Sequence, residues 1–109
     1  MTVQELIDGK EYEVLNPGED TGRRIETVFC CDLLSVAMGK APADCAWVTV
    51  MGNMNTLAVA VLTEAACVIL AEGTVLDETA LKKAGEQGIT VLSTEAPVFE
   101  TAMEIYKML

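Results

Sequence analysis

The sequence contains no histidine and few aromatic residues: one Trp, two Tyr and two Phe. Without histidine, the side chain that most often acts as a general base near neutral pH and as a nitrogen ligand of metals is missing. Long apolar runs are absent too, because Asn53, Asn55, Thr63 and Glu64 interrupt the longest one before it reaches the ~18 residues of a membrane span. These absences disfavour histidine-dependent catalysis and a transmembrane helix.

Basic residues are also scarce. Seven Lys and Arg stand against 17 Asp and Glu, which gives a formal net charge of −10 at pH 7. Such a chain repels DNA and RNA, and its only adjacent basic pairs are Arg23-Arg24 and Lys82-Lys83. The first residues carry no basic and apolar leader. We therefore expect a cytoplasmic protein that binds neither nucleic acid nor membrane.

Metal-binding patterns are missing as well. The four cysteines, Cys30, Cys31, Cys45 and Cys67, form no CxxC motif, and two of them are adjacent in the sequence. Adjacent thiolates have poor geometry for a structural zinc site, which would need all four. We expect reduced, packed thiols, with no metal and no cofactor.

The residues that are present are organised around one stretch, residues 46–73. Its pattern predicts four consecutive elements: strand Ala46–Met51, turn Gly52-Asn53, helix Met54–Ala66 and strand Cys67–Ala71. Continuously apolar strands are typical of a parallel sheet that is covered on both faces. A right-handed crossover then places the turn at the carboxyl edge of the sheet, where open α/β sheets usually bind ligands.

Similar elements flank this βαβ unit. In chain order, the patterns predict a helix after Thr2, a half-exposed strand near Tyr12, strand Ile25–Cys31, helix Asp32–Gly39, helix Asp77–Gln87, strand Ile89–Leu92 and a helix after Pro97. Asp32 and Asp77 are expected to cap the helices that follow them. The last helix is expected to carry one apolar stripe, made of Val98, Ala102, Ile105, Tyr106 and Leu109.

The fold class that follows is α/β. We expect a single domain over residues 1–109 with a mostly parallel sheet of four to five strands, flanking helices and a βαβ core at residues 46–73. One antiparallel edge strand is expected near Tyr12.

Four segments, from about Val14 to Tyr106, resemble the DRTGG domain family: TVFCCDLLSVAMG, PADCAWVTVMGNMNTLAVAVL, CVILAEG and GITVLSTEAPVFETA. The resemblance implies a single DRTGG-like domain whose fold is similar to the N-terminal domain of HPr kinase/phosphorylase. It also implies a regulatory or scaffolding module that is often dimeric. Family members occur beside CBS domains and inside phosphotransacetylases. Stand-alone copies accompany redox and hydrogenase subunits, which implies a protein partner in a redox complex.

The sequence departs from the residues that name this family. Many members have Asp-Arg after the central strand, where this chain has Asn53-Met54, and Thr-Gly-Gly where it has Ala71-Glu72-Gly73. Losing the arginine and gaining Glu72 disfavours an anion site. No GxxxxGK[ST] loop occurs, so the resemblance to HPr kinase does not extend to phosphoryl transfer.

The candidate ligand-binding residues lie where strands are expected to end at the carboxyl edge. They are Gly52, Asn53, Asn55, Thr56, Glu72, Gly73, Asp32 and Ser35. Amides and hydroxyls at a helix N-terminus bind polar or anionic groups. The same residue types also cap helices and make turns without any ligand, so both interpretations stay open. We expect no catalytic residues, because no histidine or buried lysine is available to activate a nucleophile.

Two hypotheses about function follow. The first is a non-catalytic regulatory module that binds a small polar ligand at the carboxyl edge of the sheet. The second is a scaffold or interaction subunit of a redox (hydrogenase-like) enzyme complex, with no small-molecule ligand. In either case we expect a homodimer, because the helix Met54–Ala66 is apolar almost all round and must be covered on every side.

Overall fold

The computed structural model describes residues 1–109, which form five helices and five strands. The helices are α1 (Val3–Asp8), α2 (Leu34–Lys40), α3 (Met54–Leu62), α4 (Glu78–Gln87) and α5 (Val98–Met108). The strands are β1 (Glu13–Asn16), β2 (Thr27–Cys30), β3 (Cys45–Thr49), β4 (Cys67–Leu70) and β5 (Thr90–Ser93). None of the helices has the length and apolar character needed to cross a bilayer.

The strands form one sheet in the order β1-β5-β4-β3-β2. Strands β2 to β5 are parallel, and β1 pairs antiparallel with β5 at the edge. This confirms the predicted α/β class, the mostly parallel sheet and the antiparallel edge next to Tyr12. Because the parallel strands follow one another in sequence order, the strand order does not reverse between them, and no crevice opens at a topological switch point.

Each face of the sheet carries its own hydrophobic core. Helices α2, α3 and α4 cover one face, where Trp47 and Leu57 are buried together. Helices α1 and α5 cover the other, where Val48 packs in the same cluster as Ile105. Trp47 and Val48 are neighbours in β3, so the strand sends successive side chains to opposite cores. Both cores are built almost entirely from aliphatic residues, as the low aromatic content predicts.

The helix boundaries that were predicted from capping residues at Thr2, Asp77 and Gly88 are confirmed. The Thr2 hydroxyl accepts a hydrogen bond from the Glu5 amide at 3.1 Å, and the Asp77 carboxylate accepts one from the Ala80 amide at 2.7 Å. Gly88 ends α4 in the left-handed conformation, with φ = 67°.

The prediction that Asp32 caps α2 is wrong. The residue at the N-cap is Leu33, which makes no side-chain capping bond. Asp32 Oδ1 instead accepts hydrogen bonds from the Thr49 hydroxyl at 2.7 Å and the Val50 amide at 3.0 Å. Thr49 is fully buried at the end of the neighbouring strand, so its hydroxyl needs a partner, and the carboxylate supplies one.

Two helices differ in extent or exposure from the prediction. Helix α3 ends at Leu62 rather than Ala66, because Glu64 adopts a left-handed conformation (φ = 60°) that turns the chain towards β4. The apolar stripe of α5 is narrower than predicted. Tyr106 is 68% exposed and Leu109 44% exposed, since α5 lies against β2 and β3 through its Ile105 side. Both α3 and α5 therefore leave apolar side chains in water.

Candidate functional site

The carboxyl edge of the sheet is formed by the four segments that follow the parallel strands. These segments contain acidic residues, among them Asp32, Glu72 and Glu95, but no Lys or Arg. The amino edge differs, since Arg23 there donates to the Asp44 carboxylate at 2.8 Å and to the Glu64 carbonyl. The carboxyl edge therefore differs from the amino edge in having carboxylates without a basic residue in the same segments.

The turn after β3 brings its predicted residues together but uses most of their polar atoms internally. Asn53 Oδ1 accepts a hydrogen bond from the Thr56 amide at 3.1 Å and another from the Thr56 hydroxyl at 3.4 Å. Thr56 is 1% exposed. Asn55 lies in the first turn of α3 with an exposed side chain and no hydrogen-bond partner within the protein. Asn53 thus caps the helix, while Asn55 remains free to contact a ligand.

The turn after β4 ties three parts of the edge together. Glu72 has a left-handed backbone (φ = 61°), and its Oε2 accepts a hydrogen bond from the Val98 amide at 3.1 Å, at the first residue of α5. The Gly73 amide donates to the Thr94 carbonyl at 3.0 Å, which joins this turn to the segment after β5. Glu72 therefore holds the start of α5 in place. Ser35, which was also predicted for the site, has an exposed side chain on α2.

The two turns touch each other at Gly52. Its carbonyl oxygen accepts a hydrogen bond from the Asp77 amide at 3.4 Å. A Cβ atom at Gly52 would lie only 2.5 Å from the Val75 carbonyl oxygen, so this position needs a residue without a side chain. Gly52 thus forms the contact between the two βα turns.

A cavity of about 640 Å³ opens at this edge between β1, β5 and the start of α4. Its lining residues are Glu11, Glu13, Leu15, Gly73, Thr74, Val75, Leu76, Leu81, Ser93, Thr94 and Glu95. Of the residues predicted from sequence, only Gly73 lies in this wall. The alternation of Glu11, Glu13 and Leu15 was a signal that these side chains share one face of β1, and Glu13 pairs with Ser93 across the sheet.

Neighbouring groups alter the pKa values of two residues beside this cavity. A hydrogen bond to Glu104, reinforced by the charge of that carboxylate, raises the pKa of Glu11. Burial raises the pKa of Tyr12 to about 12, and the charges of Glu104 and Glu11 add to the effect. Both shifts include a contribution from nearby carboxylates at this end of β1.

The four cysteines are free thiols and form no candidate metal site. Burial raises the pKa of Cys67 to about 12 and that of Cys45 to about 11. Burial and the charge of Asp32 also raise the pKa of Cys30, so its thiolate is disfavoured at neutral pH. The raised pKa values of Cys30, Cys45 and Cys67 make these three thiols poor nucleophiles at neutral pH.

The comparisons with known proteins agree with this architecture. The model of the DRTGG domain family matches residues 3–108, nearly the whole chain. The chain belongs to the DRTGG domain family. A search of curated protein sequences finds no match to it.

A solved structure with the same fold is the crystal structure of the CBS and DRTGG domains of the regulatory region of Clostridium perfringens pyrophosphatase. That protein was crystallised with its activator, diadenosine tetraphosphate. The alignment has a TM-score of 0.79 at 14% sequence identity and covers 99% of this chain. It covers 47% of the pyrophosphatase chain, so this DRTGG chain spans about half the length of that structure.

Proposed function

We propose that this DRTGG chain is a non-catalytic regulatory module that binds a small polar ligand at the carboxyl edge of its sheet. The observation that carries the proposal is the cavity of about 640 Å³ at that edge, because pockets of roughly 300–1,000 Å³ are typical of metabolite sites. The regulatory role of the pyrophosphatase region with the same fold supports it. The raised pKa values of the thiols support a binding role rather than covalent catalysis.

The predicted residues at this edge fall into two groups: those whose side chains make hydrogen bonds within the protein, and those without such bonds. Asp32, Asn53 and Glu72 hold the backbone of the edge through hydrogen bonds. Asn55 at the start of α3 and Gly73 in the cavity wall are the predicted residues left to contact a ligand. We propose that the ligand occupies the cavity beside Gly73 and extends towards Asn55.

A thermal-shift screen with nucleotides and small polar metabolites tests the proposal. A ligand at a hundred times its Kd should stabilise the protein by about 2.7 kcal/mol, which is easily detected as a rise in Tm. Asn55→Ala should weaken a ligand bound at α3 without affecting folding, whereas Asn53→Ala should also destabilise the helix. A ligand whose affinity survives both substitutions does not contact the start of α3, and the cavity wall then remains as its site. A screen with no hit contradicts the proposal.

A second function, as an interaction subunit, is favoured by the exposed surface of α2 and α3. These two helices contain a single charged residue, Lys40, in a chain with 24 charged residues. The exposed apolar side chains on and directly before these helices include Leu33, Val36, Met54 and Leu62, of which Leu62 is 68% exposed. Exposed apolar patches of this kind mark contact surfaces between proteins.

We propose a second copy of the chain as the partner on this uncharged surface. Each copy carries a charge of −10, so two copies repel each other wherever their charged faces meet. The α2–α3 surface avoids that repulsion, because the apolar side chains of one copy would contact the same apolar side chains of the other. A redox-complex subunit is the other partner that the family resemblance implies, and it would occupy the same surface.

Light scattering after gel filtration tests the dimer. We expect about twice the monomer mass of 11.7 kDa at micromolar concentration. Leu62→Glu should give the monomer, whereas Phe99→Glu should not, because Phe99 on α5 is similarly exposed at 65% but lies outside this surface. A monomeric wild-type protein contradicts the homodimer and leaves the surface for a different partner.

A further inference from the structure

The cavity between β1, β5 and α4 has a composition that specifies the charge of its ligand. We propose that it binds a small amphipathic amine, with ammonium groups against the carboxylates of Glu11, Glu13 and Glu95 and an aliphatic part against the leucine side chains. The inference rests on the function proposed above, because it names the ligand class for the same edge of the sheet.

The electrostatic argument comes from the cavity rim. The lining includes three carboxylates, those of Glu11, Glu13 and Glu95, and no Lys or Arg. Glu104 adds a fourth carboxylate close to Glu11 and raises its pKa. A ligand that enters this cavity meets a wall whose charged side chains are all carboxylates, which attract a cation and repel a phosphate or carboxylate.

The arrangement of the carboxylates favours an organic cation over a metal ion. No three Asp, Glu or Cys side chains in the structure converge closely enough to hold one ion. The negative charges are instead spread around the rim, on Glu11 before β1, on Glu13 at its start and on Glu95 after β5. An organic amine fits this arrangement, because each of its ammonium groups can contact a single carboxylate.

The remaining lining residues fit the apolar part of an amphipathic ligand. Leu15 and Leu76 pack against the core at the base of the cavity, and Leu81 forms the α4 side. The Ser93 and Thr94 side chains add hydroxyl groups between the apolar base and the acidic rim. An aliphatic chain can thus lie on the leucines while its charged end stays at the rim, as in other pockets that combine an apolar wall with few polar groups.

Gly73 explains how one of the carboxylates reaches the rim. Its backbone has φ = 69°, and a Cβ atom there would collide with the Glu95 carboxylate. The glycine therefore lets the Glu95 side chain lie directly over the turn after β4. This contact joins two segments of the rim that are separate in sequence.

The test uses three probes of equal length: 1,5-diaminopentane, 1,5-pentanediol and glutarate. Each is titrated into the full chain while amide signals are followed by two-dimensional NMR. We expect the diamine to shift the amides of Gly73, Thr74, Ser93 and Thr94, and the diol and the dicarboxylate to leave them unchanged. Glu13→Gln and Glu95→Gln should each raise the Kd of the diamine about threefold, the size expected for an exposed ion pair.

Glu86→Gln is the matched control, because it removes the same charge from an exposed position of α4 outside the cavity. Its Kd should equal that of the wild type. An equal loss of affinity in all three variants would mean attraction by net charge alone and would overturn the inference. Glutarate or pentanediol shifting the same amides would overturn the amine class but keep the ligand site. If none of the probes moves these amides, the amine inference falls, and a blank metabolite screen would be needed to reject the proposed function itself.

Discussion

The two turns at the carboxyl edge, after β3 and after β4, start from similar strands and end very differently. Four residues, 50–53, connect β3 to α3, and seven residues, 71–77, connect β4 to α4. The short turn is closed by the cap between Asn53 and Thr56. The longer one carries Val75, which is 82% exposed, and leaves a cavity beside α4.

The difference teaches where a binding site can arise on a sheet whose strand order does not reverse. A short connection brings the helix start against the strand end, so amides and hydroxyls satisfy the backbone and little space is left. Additional residues move the helix start away and leave space between the layers. Residue types that look like ligand contacts therefore concentrate in the closed turn, while the open space is lined by acidic and apolar side chains.

The largest expected effect compares a leucine beneath the closed turn with one beside the cavity. Leu57 is 1% exposed in the core under α3, whereas Leu81 is 41% exposed in the cavity wall. Leu57→Ala should reduce the free energy of unfolding by about 2–5 kcal/mol, because it leaves a cavity in a packed core. Leu81→Ala should cost less than about 1 kcal/mol. Urea denaturation measures both, and equal losses would contradict the contrast between the turns.

The next effect concerns the contact between the turns. Gly52→Ala should destabilise the protein by about 1–3 kcal/mol, because its Cβ would meet the Val75 carbonyl oxygen and the backbone must shift. The matched control is Gly39→Ala in α2, where nothing lies within 4 Å of the new Cβ. That change should stabilise the protein by about 0.5–1 kcal/mol, since alanine is the better helix former. Thermal unfolding of both variants at one pH gives the comparison, and a neutral Gly52→Ala would show that the turns do not constrain each other.

A pH titration tests whether the cysteine side chains at the start of β3 and β4 are shielded from water. Strand β3 begins at Cys45, with a pKa of about 11, and β4 at Cys67, with a pKa of about 12, both raised from 9.0 mainly by burial. The folded state keeps these protons while the unfolded chain loses them, so stability falls as the pH rises above 9. Each thiol should add a slope of about −1.4 kcal/mol per pH unit between its unfolded and folded pKa values. Cys67→Ala should reduce the steepness measured by urea denaturation from pH 8 to 11, and an unchanged pH profile would show that Cys67 is hydrated.

The smallest effect separates the two asparagines of the closed turn. Asn53→Ala removes the cap on the Thr56 amide and should cost about 1 kcal/mol. Asn55→Ala removes an exposed side chain without a partner and should change stability by less than about 0.5 kcal/mol. Chemical denaturation resolves the two values. If Asn55→Ala were the more destabilising, Asn53 would not be the residue that closes the turn.

Much of the fold could be predicted from sequence, because its signals are local. Thr2, Asn53 and Asp77 each bond an amide three residues along the chain, a spacing visible in the sequence itself. The apolar runs that became β3 and β4 identified buried parallel strands in the same way. The predicted helix over Met54–Ala66 was too long because apolar periodicity does not reveal the left-handed turn at Glu64.

The candidate site was less predictable, since its parts meet only through tertiary structure. Asp32 has the residue type and position of a cap, yet the buried hydroxyl of Thr49, 17 residues away, captures its carboxylate. Glu72, also a predicted site residue, accepts a hydrogen bond from the first residue of a helix 26 positions further along the chain, which the local sequence does not reveal. For Asp32 the buried Thr49 hydroxyl outweighed the local preference, because leaving such a group unsatisfied costs about 1–3 kcal/mol.

The sequence by itself determined the alternation of strands and helices, the caps, the aliphatic cores and the acidic charge, because each depends on residues within a few positions of one another. Only the tertiary structure decided which polar side chains remain free and where the cavity lies. The cavity joins the first residues of β1 to Gly73 and Glu95, which the antiparallel pairing of β1 with β5 brings to one edge. The strand with which a short edge strand pairs is determined by long-range packing. The local pattern of Glu11, Glu13 and Leu15 therefore does not predict it.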